Sequence, residues 1–208
     1  MIAPKTAIAR SLVALALGAV APGILAPFAW SARADGVFHK IITPADSQKL
    51  AKIDETRAQA LAEARADGAK EYLAILDQTL AGEPLSLHAG FDAVGEWRCR
   101  TLKLGKGAPI VVYGWFRCRI TDDGAGWFLE KLTGSQRTAG RFYDNGEKEM
   151  YYLGVLSVDG DQKIAYGVSP ERNQVARAVR PGQNRLRLEF PSPQYESRFD
   201  ILELERKK

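Results

Sequence analysis

The chain has 208 residues, with 29 Lys and Arg against 25 Asp and Glu. A chain of this length can bury a full core, which fits one domain or a domain with an appendage. Three of the basic residues and none of the acidic ones lie among the first 34 positions, so taking these three from 29 leaves 26 against 25. A nearly neutral remainder lacks the positive surplus typical of proteins that bind nucleic acid or anionic membrane surfaces.

Residues 1–34 predict a signal peptide. Lys5 and Arg10 precede an apolar run over residues 11–30, and residues 32–34 read Ala-Arg-Ala, the small-x-small pattern of a cleavage site. Two prolines and a glycine interrupt the run, which argues against a transmembrane anchor of about 20 uninterrupted apolar residues. We therefore expect a periplasmic or secreted protein that begins at Asp35 and has no transmembrane segment after cleavage.

The only two cysteines, Cys99 and Cys118, favour one structural disulfide in an exported chain, with two free buried thiols as the alternative. Closing the loop between them should stabilise the fold by about 3 kcal/mol. Because only His39 and His88 accompany the cysteines, we expect neither a metal site nor a cofactor.

Two helices are predicted within residues 35–84. An extended lead over residues 35–42 precedes Thr43, an N-cap followed by a proline at the first helical position. This helix runs to residue 67, and a second covers residues 69–80. The pair is interpreted either as a brace on a sheet or as an arm that binds a partner, and a linker follows over residues 85–93.

The pattern is all β over residues 94–208, the predicted barrel domain. Turn signals recur at short intervals, and Asn145-Gly146 is the strongest because both residues tolerate the positive φ of a two-residue hairpin. Strands are predicted over residues 94–104, 109–120, 127–133, 137–144, 148–158, 163–168, 174–179, 184–190 and 195–205. The predicted fold is α+β: two N-terminal helices, then an antiparallel meander β-barrel, or a strongly curved sheet, of about eight to nine strands, calycin-like.

The first hairpin is predicted to pair Cys99 with Cys118. That register leaves one face mostly apolar and places four arginines on the other. They are Arg98, Arg100, Arg117 and Arg119. Directly opposed like charges on paired strands are unfavourable, so something should neutralise them.

Two interpretations of these arginines remain open. In the first, closure of the sheet brings the last strand beside the first, and its carboxylates (Asp200, Glu203 or Glu205) compensate the charge. In the second, too few carboxylates reach the face, which then binds an anion or an acidic partner. Arg137 would join that site, and Trp115 would supply a stacking surface.

No catalytic motif stands out. The chain has no Gly-x-Ser-x-Gly, no His-Glu-x-x-His and no phosphate-binding loop. Acidic residues after position 146 could form a carboxylate pair, but sequence spacing brings no two of them together. Strand aromatics could fill the core or line a ligand cavity.

Two family resemblances bear on this interpretation. Gly95-Glu96-Trp97 resembles the Gly-x-Trp start of lipocalin-type barrels and of small secreted barrel inhibitors of bacterial metalloproteases. The two predicted helices depart from the short extended trunk of those inhibitors.

Longer stretches are similar to an uncharacterised family of secreted alphaproteobacterial proteins, domain of unknown function 4893. They cover residues 95–101, 115–120, 131–137 and 187–197. This resemblance implies no activity and transfers no catalytic residue.

The leading hypothesis is a non-enzymatic binding module of the cell envelope, whose partner is a small molecule or an envelope protein. It predicts an open apolar cavity. A protease-inhibitor-like interaction protein predicts a projecting N-terminal segment without a cavity. A hydrolase predicts two acidic groups that share a cleft, with perturbed titration.

Overall fold

The structure is a computed structural model that describes Met1 and residues 32–88 and 90–206. The predicted signal peptide lies outside the described residues, apart from Met1 and its last three positions. No described helix has both the length and the apolar character needed to span a membrane.

Within residues 32–88, four helices precede the sheet: α1 (Ala32–Ile41), α2 (Pro44–Ala51), α3 (Ile53–Asp67) and α4 (Lys70–Leu80). The expected extended lead is wrong, because α1 occupies it. The expected long helix is divided at Lys52, whose amide bonds back to the carbonyl of Lys49 in a turn tighter than an α-helix. Thr43 is the N-cap of α2, and its hydroxyl accepts a hydrogen bond from the amide of Asp46 at 3.2 Å.

Nine strands follow, and each pairs antiparallel with its neighbours. They are β1 (Gly95–Leu104), β2 (Ile110–Val112), β3 (Phe116–Asp122), β4 (Trp127–Lys131), β5 (Gln136–Asp144), β6 (Glu149–Val158), β7 (Asn173–Gly182), β8 (Arg185–Pro191) and β9 (Phe199–Arg206). Pairing of β1 with β9 closes an eight-stranded barrel, and β2 is an extra short strand beside β1. The predicted barrel is confirmed, and closure leaves its eight strands without free edges.

Three strand predictions need correction. The run 109–120 is broken at residues 113–115 into β2 and β3. Residues 163–168 form a connection whose Tyr166 hydroxyl bonds Asp46 of α2 at 2.6 Å. The last strand begins at Phe199, because Ser192 and Glu196 adopt φ values of 47° and 65° that fold the preceding segment into a turn.

The register of the first hairpin also differs from the prediction by two residues. Cys99 lies opposite Phe116, and Cys118 lies opposite Trp97. The cysteines are therefore diagonal neighbours, with Cα atoms 5.9 Å apart, and they form the disulfide. Because a shift of two residues preserves the alternation of faces, the predicted apolar and arginine faces remain as expected.

Apolar side chains form two layers on opposite sides of the barrel wall. The inner layer includes Trp97, the disulfide, Phe142 and Tyr152. The outer layer lies between the wall and the helices, where Leu102, Leu104 and Ile201 meet buried residues of all four helices. The helical segment therefore packs on the barrel as a brace.

Buried side chains fill one half of the barrel interior, the half that lies farthest from Gln136 at the start of β5. Tyr152 occupies the centre, where the cross-strand pair Gly140 and Gly154 leaves space for its ring. A Cβ at Gly154 would lie 2.3 Å from the Tyr152 hydroxyl oxygen. Leu87 and Ala93 of the segment before β1 complete this packed end.

Candidate functional site

The outer arginines of β1 and β3 are mostly paired with carboxylates. Arg98 bonds Glu205, and Arg100 bonds the buried carboxylate of Glu203 at 2.7 Å. Both acids lie on β9, directly opposite their arginines. This arrangement is the predicted charge compensation by the last strand.

The remaining members of the predicted arginine site are more dispersed. Arg119 bonds Glu96 on the neighbouring strand at 2.5 Å. Arg137, two strands away on β5, bonds Asp159 at 2.8 Å. Arg117 is exposed and has no carboxylate partner among residues 37–88 and 90–206. Four carboxylates thus pair with these arginines, whereas the second interpretation expected too few to compensate their charge.

Trp115 lies in the break between β2 and β3, and two guanidinium groups cover its ring. The guanidinium carbons of Arg98 and Arg100 lie 4.3 and 4.5 Å from the ring centroid. These cation–π contacts hold the two arginines against the barrel wall. A ligand that stacks on Trp115 would have to compete with them.

A cavity of about 170 Å³ opens at one mouth of the barrel. Every barrel strand contributes an inward side chain to its wall. They are Thr101 and Lys103 (β1), Phe116 (β3), Lys131 (β4), Gln136 and Thr138 (β5), Leu156 (β6), Gln174 (β7), Phe190 (β8), and Asp200 and Leu202 (β9). Two exposed tyrosines, Tyr113 and Tyr195, line its outer part. The eight strands thus place polar and charged groups inside the mouth, above the packed half of the barrel.

Lys103 is a buried cation with acidic neighbours. Its Nζ donates hydrogen bonds to Glu196 at 2.5 Å and to the side-chain oxygen of Gln136 at 3.0 Å. Asp200 lies directly opposite it on β9. These contacts compensate its charge within the cavity.

Lys131 is buried to nearly the same extent as Lys103, with 9 % of its surface exposed, but it has different neighbours. Its Nζ donates to the backbone oxygen of Gln136 at 2.7 Å and lies 4.3 Å from the centre of the Phe116 ring. No described acidic side chain forms an ion pair with it. Burial, with repulsion from Lys103 and Arg137, lowers the pKa of Lys131 to about 8.

Asp200 is the acidic counterpart in this mouth. Burial raises the pKa of Asp200 to about 6, and the nearby Glu196 carboxylate adds to this effect. The hydroxyl of Ser197, 2.5 Å away, and the charge of Lys103 act in the opposite direction. The cavity therefore contains two groups, Lys131 and Asp200, whose charge changes between about pH 5 and 9.

Sequence reasoning missed both lysines of this cavity. The mostly apolar face predicted for the first hairpin includes Trp97, Cys99 and Thr101, and the same alternation continues to Lys103. Likewise, Lys131 follows the inward Leu129 by two residues. The available signal was a lysine at an inward position of a barrel strand, where an apolar residue is usual.

Within the described residues, no group of three or more His, Cys, Asp and Glu side chains is arranged to hold a metal ion. His39 and His88 lie apart, one on α1 and the other in the segment before β1. His88 bonds the backbone oxygen of Gly146 at 3.1 Å.

Of three comparisons with known proteins, one finds a match. No curated protein and no solved structure matches this chain. Residues 38–204 match a family described as a domain of unknown function, DUF4893. This match runs from α1 to β9 and covers the helices, the barrel and the cavity. The chain belongs to the DUF4893 family.

Proposed function

We propose that this protein is an exported, non-enzymatic binding module that holds a small anionic molecule in the mouth of its barrel. The observation that carries the proposal is Lys131, a buried cation in the cavity wall without an acidic partner among the described residues. A buried charge is costly unless it is paired, and an anionic ligand would supply the missing partner.

The size of the cavity restricts the ligand. Its volume is about 170 Å³. Pockets for drug-sized molecules are larger, at about 300–1,000 Å³. A cavity of roughly 150 Å³ accommodates benzene, so the cavity of this barrel is close to that size. The whole ligand, or the part of it that enters, is therefore a compact anion such as a short carboxylic acid. Tyr113 and Tyr195 would contact any portion that extends from the mouth.

Other features support this function over the alternatives. An inhibitor of the barrel type was expected to have a projecting N-terminal segment and no cavity, whereas α1 to α4 pack on the barrel. The hydrolase hypothesis expected two acidic groups that share a cleft, whereas the carboxylate of Glu196 pairs with Lys103 and that of Asp200 accepts a hydrogen bond from Ser197. The Cys99–Cys118 disulfide supports a periplasmic or secreted location, where such bonds persist.

The outer arginine face is a second candidate anion site, because Arg117 is exposed and lacks a carboxylate partner among the described residues. The predicted site of Arg98, Arg100, Arg117, Arg119, Arg137 and Trp115 is a separate proposal. Four of its five arginines already bond carboxylates, so we rank it below the cavity.

Calorimetric titration with glycolate and with sulfate tests the proposal. We expect Lys131→Met to weaken binding at least about tenfold, equivalent to about 1.4 kcal/mol. Lys163→Met is the matched control, because Lys163 is exposed on the surface and should leave the affinity unchanged.

The same titration separates the two candidate sites. If Arg117→Ala lost binding and Lys131→Met kept full binding, the anion would bind at the outer arginine face and not in the cavity. An absence of binding by the unmodified protein at low and moderate salt would overturn the proposed function.

A further inference from the structure

We propose that Lys131 captures small carbonyl compounds, aldehydes or 2-oxo acids, as a reversible imine inside the barrel mouth. This inference rests on the proposed function, because it assigns the cavity as the binding site and names the chemical class of the ligand.

The two buried lysines of the cavity have unequal partners. Lys103 bonds the carboxylate of Glu196 and faces Asp200, so its charge has acidic partners. Lys131 has only a backbone oxygen and the Phe116 ring as described partners. Of the two amines, Lys131 is the one without an acidic partner among the described residues.

Both amines converge on one residue. Lys103 bonds the side-chain oxygen of Gln136, and Lys131 bonds the backbone oxygen of the same residue. The charge of Lys103 therefore opposes a proton on Lys131, as does Arg137. A lysine that is desolvated and adjacent to another cation is the arrangement that activates an amine as a nucleophile.

The lowered pKa of Lys131, about 8, agrees with this geometry. At neutral pH, the uncharged amine fraction is then roughly two hundredfold larger than for a lysine with an ordinary pKa of about 10.4. Cation–π contact with Phe116 favours the ammonium. Burial and the two neighbouring cations outweigh that contact.

The capture step balances without an oxidant or reductant. The Nζ lone pair of Lys131 forms a bond to the carbonyl carbon, and the π electrons move to the oxygen, which takes up a proton. The nitrogen loses a proton, which gives a neutral carbinolamine, and the hydroxyl oxygen takes up a second proton. The C–O bond then breaks and one water leaves as the nitrogen lone pair forms the C=N bond. Loss of the remaining N–H proton gives the neutral imine. The protons exchange with water at the open mouth.

An acid group on the ligand fits beside this amine. Lys103 and Arg137 both exert a positive field at Lys131, so a carbonyl compound with a carboxylate is attracted to the same place. The limited volume restricts the captured ligand to a small one, such as a short 2-oxo acid.

Reductive trapping tests this inference on the unmodified, folded protein. The protein is incubated at neutral pH with glyoxylate and cyanoborohydride, and each lysine is followed over time by peptide mass spectrometry. We expect Lys131 to be alkylated at least about tenfold faster than the exposed Lys163, in line with its larger amine fraction. Denaturation in urea should abolish this preference.

A second measurement distinguishes the inference from the proposed function. Glycolate lacks the carbonyl group, so it reports anion binding alone. Glycolate binding without preferential alkylation of Lys131 would overturn the imine and leave the anion site intact. Preferential alkylation without glycolate binding would support the imine and overturn the anion site.

Variants of the cavity add an independent readout. Lys103→Gln removes a cation beside Lys131, so it should slow alkylation of Lys131 by neutral acetaldehyde and leave Lys163 unchanged. An unchanged rate at Lys131 in a folded Lys103→Gln protein would contradict the activation of its amine by Lys103.

Discussion

Glu203 shows how one carboxylate organises the outer arginine face. It lies on β9 under the end of α4, with 2 % of its surface exposed. It accepts hydrogen bonds from Arg100 at 2.7 Å, Thr79 at 3.0 Å and Arg185 at 3.2 Å. We expect Glu203→Gln to lower the free energy of unfolding by about 3 kcal/mol, because it removes the buried carboxylate that pairs with the partly buried Arg100 and Arg185. Urea denaturation measures the loss.

Glu205→Gln is the matched control for this prediction. Glu205 lies two residues further on the same face of β9 and pairs with Arg98, but that pair is more exposed than the pair of Arg100 and Glu203. Exposed pairs contribute little, so the change should cost less than about 1 kcal/mol. Equal losses in the two variants would contradict the difference in burial between the two pairs.

At the scale of elements, the disulfide joins β1 to β3 where β2 and β3 are separated by a break. Cys99 and Cys118 are both fully buried in the inner layer. We expect Cys99→Ser to lower the free energy of unfolding by about 3 kcal/mol, since the open chain gains conformational entropy when it unfolds. Urea denaturation with and without reductant measures this effect.

Peptide mass spectrometry of the folded protein provides the control, because it should recover the linked Cys99–Cys118 pair. A reductant should destabilise the unmodified protein and have no effect on a Cys99→Ser, Cys118→Ser double variant. Free thiols in the folded protein would contradict this prediction.

The sequence predicted those elements whose signals are local. Thr43 and Pro44 predicted the start of α2, and alternation in β1 predicted the inner and outer faces. The break at residues 113–115 and the connection at residues 163–168 depend on tertiary contacts, such as the bond from Tyr166 to Asp46. The two-residue error in register followed from placing the cysteines directly opposite each other, when a diagonal pair bonds equally well.

The cavity was harder to predict than the barrel. Its wall takes one or two side chains from each of eight strands that span residues 95–206. The sequence could indicate which side chains of one strand point inward. It could not indicate which of these inward side chains meet at one mouth, because that depends on the closure of β1 against β9. Lys103 and Lys131 are 28 positions apart in sequence and come together only in the closed barrel.

At the scale of the whole molecule, the two titrating groups predict how anion binding depends on pH. Lys131, with a pKa lowered to about 8, gains its positive charge as the pH falls through that value. Asp200, with a pKa raised to about 6, loses its negative charge on further acidification. Both changes make the mouth more positive, so the affinity for an anion should rise in two steps as the pH falls from about 9 to about 5.

Glycolate is the appropriate probe, because its carboxylate stays ionised throughout this range. Calorimetry should show roughly a tenfold gain for each step, the size of about 1.4 kcal/mol of added attraction. Asp200→Asn should remove the step near pH 6, and Lys131→Met the step near pH 8.

The remaining charged groups that line the cavity are Lys103, Arg137, Glu171 and Glu196. Lys103 pairs with Glu196, Arg137 pairs with Asp159, and Glu171 accepts a hydrogen bond from Ser169. An affinity that is constant or falls on acidification would show that glycolate binds away from Lys131 and Asp200.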